Sequence, residues 1–228
     1  MNDHRNVIVN KPWGYEYLAF ESEEVALWVL VINPHQSTSM HCHPTKTTGL
    51  VLLSGLAELA FLGDSKIIKS PDKQMLRRGL FHSTRSISEE PLVLLEIETP
   101  NDKNDIIRLR DAYGRKDLGY EGTVHEQNRS EDCLWIIDDP NLVRQEYRLF
   151  GLSLFVERPR SIDYFRDNPN DDILIFLRGG LGKTIDHRFH LATMPGDIGL
   201  AGIVGLVANE MDLVQEGTLV IRVPLVSG

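Results

Sequence analysis

Ser37-Thr38-Ser39-Met40-His41-Cys42-His43-Pro44-Thr45-Lys46-Thr47-Thr48-Gly49-Leu50-Val51-Leu52-Leu53-Ser54-Gly55 is the stretch whose reading decides the fold. Two histidines stand one residue apart, and an apolar run then ends at a glycine. Side chains alternate between the faces of an extended strand, so His41 and His43 point one way and Cys42 the other. Neutral imidazoles side by side are natural ligands for zinc, iron, copper or nickel. A third histidine, His82, follows Arg77-Arg78-Gly79-Leu80-Phe81, where the glycine turn can swing another strand alongside the first. Three histidines placed this way point to a metal site. The competing reading is three core histidines satisfied by hydrogen bonds.

These spacings resemble the cupin superfamily. Its first motif carries H-x-H, a glutamate, and a glycine seven positions after the glutamate; His41, His43, Thr48 and Gly55 stand at those places, with threonine where glutamate is usual. Its second motif carries P-x-G, then histidine, then asparagine, and Arg77, Gly79, His82 and Ser86 stand in register with it. Lys11-Pro12-Trp13-Gly14-Tyr15-Glu16 looks like the lead-in of cupins related to type II mannose-6-phosphate isomerase. The resemblance covers residues 11 to about 115. It implies a β-barrel fold, one divalent metal (zinc, manganese or iron) held by His41, His43 and His82, and a sugar-type substrate.

Composition narrows the partners. The chain has 228 residues and a formal net charge of -9, which argues against nucleic acid or an anionic membrane as the main partner. A small anionic substrate stays open, because a few local Arg and Lys suffice to hold it. With 42% hydrophobic and 25% charged residues the chain reads as a soluble globular protein. It has two cysteines, no hydrophobic segment ahead of Lys11 and no run long enough to span a bilayer, so the expected compartment is the reducing cytoplasm.

Along the chain, Ala26–Ile32 reads as a buried strand ended by Asn33-Pro34. Strands are also expected over Leu50–Leu53, Glu58–Leu62, Lys66–Lys69, Gln74–Leu76 and Leu92–Glu98, a spacing typical of an antiparallel barrel or jelly roll. Residues 1–10 read as a loose arm or edge strand. Asp105–Tyr113 reads as a short helix behind an Asn104 cap, and the charged stretch after it as a connector packed on the first barrel through Trp135. Strands resume at Leu152–Val156, Ile173–Leu177, Ile185–Leu191 and Leu219–Val223. Asp172 and Gly179 echo the spacing of Thr48 and Gly55, and Met194-Pro195-Gly196-Asp197 resembles a second cupin turn. The expected architecture is all-β: a bicupin of two jelly-roll-like barrels, with a metal-competent barrel over 1–115, a helical or irregular connector over 116–146, and a degenerate metal-free barrel over 147–228. If Ile185–Leu191 is a strand, His187 and His190 lie on opposite faces and share no metal. Gly199–Val207, small and apolar, suits tight packing or a subunit interface, and a homodimer is expected.

Candidate roles follow from residue type. Glu96 and Glu98 alternate with Leu95 and Ile97 and are placed to move a proton or support a histidine. Tyr15 and Trp13 are candidates to stack on a sugar ring, the competing reading being hydrophobic packing of the lead-in. Lys46, Thr48, Arg77, Arg78 and Arg85 are candidates to hold substrate, the cations taking its anionic group. Three functions fit: an isomerase or epimerase of a sugar phosphate or nucleotide sugar, a three-histidine non-haem iron oxygenase, and a non-catalytic ligand-binding cupin.

Overall fold

Every residue of Ala26–Ile32 is buried, and the first half of the chain is built outward from it. Its β-branched and aromatic side chains suit a pleated surface packed on both faces. The computed structural model describes residues 7–102, 104–115, the backbone of 125–126, and 133–225. The chain divides into two units, Met1–Trp135 and Ile136–Gly228.

The first unit contains β1 (Ile8–Lys11), β2 (Gly14–Glu21), β3 (Ala26–Ile32), β4 (Met40–Cys42), β5 (Thr47–Ser54), β6 (Leu56–Phe61), β7 (Ser65–Lys69), β8 (Asp72–Leu76), β9 (His82–Ser86), β10 (Leu92–Thr99), β11 (Ile107–Arg110) and β12 (His125–Glu126). A seven-stranded sheet runs β12-β1-β2-β3-β10-β5-β8 and a five-stranded sheet runs β11-β4-β9-β6-β7, with antiparallel pairing. Trp28, Leu30, Leu50 and Leu94 from the larger sheet meet Leu59 from the smaller one in a shared core. This two-sheet jelly-roll barrel puts inward residues of both sheets around one interior.

The second unit contains β13 (Arg144–Leu149), β14 (Leu152–Glu157), α1 (Asp163–Asp167), β15 (Ile173–Arg178), β16 (Leu181–Ile185), β17 (Arg188–Leu191), β18 (Ile198–Leu200), α2 (Ala201–Asn209), β19 (Leu213–Val214) and β20 (Leu219–Val223). Its sheets run β13-β14-β20-β15-β18 and β17-β16-β19. This repeats the first unit's β2-β3-β10-β5-β8 and β7-β6-β9 in the same chain order. The register repeats too. The bulge at Val93/Leu94, where β10 meets β5 at Leu52 and Ser54, recurs at Phe176/Arg178, where β15 meets β20 at Val220 and Leu219. Gly55 and Gly179 both turn the chain into the next strand with positive φ, +91° and +61°. What differs is instructive: α1 stands where the first unit makes β4, and α2 is inserted ahead of β19.

Two sequence expectations are corrected. Asp105–Tyr113 is not a helix; it contains edge strand β11, with Ile107 opposite Cys42 and Arg108 opposite His41. The short strand β4 has a backbone edge that needs partners, and β11 supplies them. The Asp105 carboxylate accepts the backbone N–H groups of Thr45 and Lys46, at 2.9 and 2.8 Å, instead of serving a helix start. Ile185–Leu191 is not one strand but the tip of the β16–β17 hairpin, with Asp186 and His187 turning at φ of 49° and 62°. Of the loose arm or edge strand expected over residues 1–10, residues 8–11 take the strand form as β1, while residues 1–6 lie outside the described residues. Gly199–Val207 is mostly the helix α2, with Ile203 and Leu206 exposed.

Most of the expected connector, 116–124 and 127–132, lies outside the described residues. At its far end Leu134 is buried and donates its backbone N–H to the Tyr17 hydroxyl at 3.0 Å, and Trp135 packs 4.7 Å from the Tyr17 ring. No helix among the described residues is long and apolar enough to cross a membrane.

The paired turns are open to test. A Cβ at Gly55 would meet Ser88 Oγ at 2.8 Å, and one at Gly179 would meet Thr218 Oγ1 at 2.5 Å. Left-handed backbone costs a residue with a Cβ roughly 1–2 kcal/mol before any such contact. Gly55→Ala and Gly179→Ala should therefore each lose about 1–3 kcal/mol in chemical denaturation. The first loss is read by tryptophan fluorescence, since Trp13, Trp28 and Trp135 all lie in the first unit, and the second by circular dichroism. An unchanged midpoint for either variant contradicts the turn assignment.

Candidate metal centre

His41 sits on β4 directly opposite His82 at the start of β9, and His43 follows β4 by one residue. The three rings are buried, with centroids 4.5 Å (His41–His82), 5.0 Å (His41–His43) and 5.7 Å (His43–His82) apart. Each ring is oriented by a backbone carbonyl. His41 Nδ1 lies 2.8 Å from the Ser39 carbonyl, His43 Nδ1 2.5 Å from that of Asp105, and His82 Nδ1 3.0 Å from that of Leu80. A carbonyl only accepts, so each Nδ1 carries the hydrogen and each Nε2 presents a lone pair. Burial pushes all three rings below the ordinary histidine range, with neighbouring imidazoles adding to the effect at His41; His43, which also faces Lys46, is held near about 4. Neutral imidazole is the state that binds a metal.

A carboxylate completes the set. One ligand atom from each of His41, His43, His82 and Glu96 falls within 4.8 Å of all the others. Ligands about 2.1 Å from one ion are at most ~4.2 Å apart, so the set needs only a sub-ångström closure around a cation. His43 Nε2 is buried without a hydrogen-bond partner, which is how a vacant ligand atom behaves. The residues fit a divalent metal.

Electrostatics point the same way. Glu96 is pushed up to about 8, first by burial and then by the Glu98 and Glu16 carboxylates beside it. Burial also raises Glu98, against the pull of Lys46. A cation held among the histidines would supply the positive charge that these carboxyls lack and would favour the ionised form of Glu96. Lys46 is itself buried, its Nζ 2.6 Å from Glu98 Oε1. The lysine near the usual glutamate position thus faces inward without a free charge, and Glu98 stands opposite Thr48 in the β5–β10 register.

The structure separates the expected substrate residues. Lys46 lines the pocket beside the histidines. Thr48 is buried behind it, and Tyr15 lies off the lining, where Trp13 and Trp28 supply the aromatic wall instead. Arg77, Arg78 and Arg85 are exposed and are not among the lining residues. Arg85 alternates with His82 and Thr84 on β9 and so points outward, 3.9 Å from Glu58. The pocket's basic residues are Lys11, Lys46, Arg108 and Arg115. Lys11 pairs with Glu16 at 3.3 Å and Arg115 with Asp111 at 2.6 Å. Arg108 escapes the sequence reading because Asp105–Tyr113 reads as a helix, although strand alternation in Ile107-Arg108-Leu109-Arg110 is an available signal; Arg115 lies beyond that segment, where the sequence carries no such pattern. The cavity measures about 80 Å³, several times the roughly 10–15 Å³ that admits one water, so a ligand larger than a few heavy atoms extends through its mouth.

The cluster predicts its own loss. His41→Ala/His43→Ala should abolish bound metal, measured by elemental analysis after dialysis, with the barrel still folded by circular dichroism. Full metal occupancy in the double variant contradicts the site.

Residues 1–111 match the family described as mannose-6-phosphate isomerase C-terminal. A mannose-1-phosphate guanylyltransferase of Klebsiella pneumoniae is 25% identical over 114 residues, covering 49% of this chain and 24% of that protein. The Escherichia coli (strain K12) mannose-1-phosphate guanylyltransferase is 24% identical over 114 residues, covering 49% of this chain and 23% of its own length. The chain therefore spans about a quarter of the length of these curated relatives. Among solved structures, an uncharacterized conserved Klebsiella pneumoniae protein with a double-stranded β-helix domain aligns with a TM-score of 0.40 at 20% identity, over 42% of this chain and 79% of that one. KdgF from Halomonas sp. aligns with a TM-score of 0.40 at 12% identity, over 45% and 94%. Matched span, barrel topology and histidine spacing coincide: the first half of this chain is a two-sheet β-barrel similar to the family described as mannose-6-phosphate isomerase C-terminal.

Proposed function

We propose that the chain is a metal-dependent cupin that isomerises or epimerises a small sugar derivative, a sugar phosphate or nucleotide sugar. The observation that carries this is the juxtaposition of a four-ligand cluster with a second carboxylate, Glu98, that the cluster does not use. A divalent cation held by His41, His43, His82 and Glu96 supplies Lewis-acid polarisation of a substrate carbonyl or hydroxyl.

The chain's own groups do the rest. The Glu98 carboxylate, its Oε1 3.8 Å from His43 Nε2, takes a proton from the carbon beside the polarised group. Returning that proton to the neighbouring carbon, while the hydroxyl proton passes to the former carbonyl oxygen, isomerises the sugar; taking a proton from water on the opposite face, with Glu98 releasing its own to water, epimerises it. Lys46 Nζ donates to Glu98, steadying the carboxylate before the transfer and the developing substrate oxyanion after it. Trp13, Trp28, Leu30 and Leu94 keep the reacting carbon in an apolar wall. Arg108 and Arg115 stand at the pocket to take a phosphate that the small cavity leaves at its mouth. The named substrate of the relatives, mannose 1-phosphate, supports the sugar-phosphate class, although this chain covers only a quarter of their length. Metal analysis separates this reading from the three-histidine iron oxygenase: zinc or manganese favours the isomerase, and iron the oxygenase.

A thermal-shift panel of sugar phosphates and nucleotide sugars with metal-loaded protein tests the class. A ligand at a hundred times its dissociation constant adds about 2.7 kcal/mol. At least one member should raise the melting temperature of the wild type and of Arg85→Ala, and fail with Arg108→Ala. In D2O, that ligand should gain deuterium at the reacting carbon with wild type and not with Glu98→Gln. No shift from any anionic sugar contradicts the proposal, as does exchange that survives Glu98→Gln.

A further inference from the structure

The repeated register allows the second barrel to be compared with the first, position by position. In the first unit, Glu96 on β10 faces Leu50 on β5 and Trp28 on β3. In the second, Arg222 on β20 faces Leu174 on β15 and Phe155 on β14. The bulges that anchor the alignment lie two residues away in both barrels: Leu94 pairs with Leu52, as Val220 pairs with Phe176. Arg222 therefore holds the place of Glu96. By the same count Asp172 holds the place of Thr48, and Glu157 that of Leu30. The histidine places have no counterparts, because α1 replaces β4 and α2 precedes β19.

Arg222 is almost wholly buried, and so are the two carboxylates it meets; the side chains of Arg222, Glu157 and Asp172 are 12%, 7% and 3% exposed. Its Nε and one terminal nitrogen lie 3.1 and 3.4 Å from the two Glu157 oxygens, and the other terminal nitrogen lies 2.9 Å from Asp172. The guanidinium also stands 4.6 Å over the Phe155 ring. Other groups add to these contacts: the Tyr164 hydroxyl and the half-exposed Arg144 also meet the two Glu157 oxygens, and the Leu225 N–H meets the other Asp172 oxygen.

We infer that Arg222 is the second barrel's built-in cation, a guanidinium standing where the first barrel's cluster would gather around a metal and, together with Arg144 against Glu157, balancing the carboxylates of Glu157 and Asp172. The planar fork reaches both carboxylates at once, which a lysine cannot do. The second barrel is then a charge-closed scaffold, and among the described residues no His, Cys, Asp and Glu group that could hold an ion lies in it. Only the comparison rests on reading the first cluster as a metal site; the charge balance at Arg222 stands without it.

The test uses the full chain with EDTA present, so that metal at the first cluster does not affect the result. Arg222→Met keeps bulk but strands two buried carboxylates. It should lower the melting temperature followed by circular dichroism by about ten degrees or more, or abolish the second unit's part of the transition. Arg222→Met/Glu157→Gln/Asp172→Asn removes the stranded charges together and should recover at least half of that loss. Wild-type melting of Arg222→Met overturns the inference. So does a triple variant that melts no higher than Arg222→Met, because the loss would then lie in packing against Phe155 rather than in charge.

Discussion

The antiparallel pairing of β4 with β9 sets His41 directly across from His82, and everything at the site depends on that register. A slip of one residue would turn Cys42 or Ser83 inward and carry a histidine to the outer face. The pairing is held at the edge of its sheet by β11, whose preceding residue Asp105 does two things at once. Its carbonyl fixes the His43 ring, and its carboxylate pins the backbone of Thr45 and Lys46. The ligand that ends the H-x-H pair and the lysine that meets Glu98 are thus set by one residue some sixty positions further along the chain. Outer partners of this kind are what give a metal site its orientation.

Charge then separates the two barrels. The first gathers Glu16, Glu96 and Glu98 around neutral imidazoles, with Lys11 and Lys46 each paired to one carboxylate. That arrangement leaves Glu96 raised toward its protonated form unless a cation joins it. The second barrel keeps the topology and turns, but carries its cation in the chain. Shared backbone with opposite electrostatics is the pattern expected when fold and function are specified by different residues.

Much of this was legible in the sequence because it obeys short-range rules. The H-x-H alternation, the glycine ahead of His82 and the buried run Ala26–Ile32 each declare their local geometry. The echo of Thr48 and Gly55 in Asp172 and Gly179 announced the repeat, and the two left-handed glycines account for it. What the sequence did not disclose depends on pairing between distant strands. Glu96 reads as half of an alternating pair with Glu98, and only the strand order distinguishes the carboxylate among the histidines from the one bonded to Lys46. The arginines near His82 in sequence lie outside because β9 alternates, while Arg108 reaches the pocket from an edge strand whose composition also suits a helix. Arg222 looks like an ordinary exposed charge in an edge of apolar sequence until its two buried carboxylates are placed beside it.

The central claim is that His41, His43, His82 and Glu96 surround one metal ion. X-ray absorption spectroscopy of the metal-loaded full chain tests it most directly, since imidazole rings give a distinctive outer-shell scattering pattern. The account predicts one ion per chain with three imidazole nitrogens and carboxylate oxygen in its coordination sphere, and one fewer carboxylate contribution in Glu96→Ala. A sphere without histidine scattering, or one unchanged by Glu96→Ala, would contradict it.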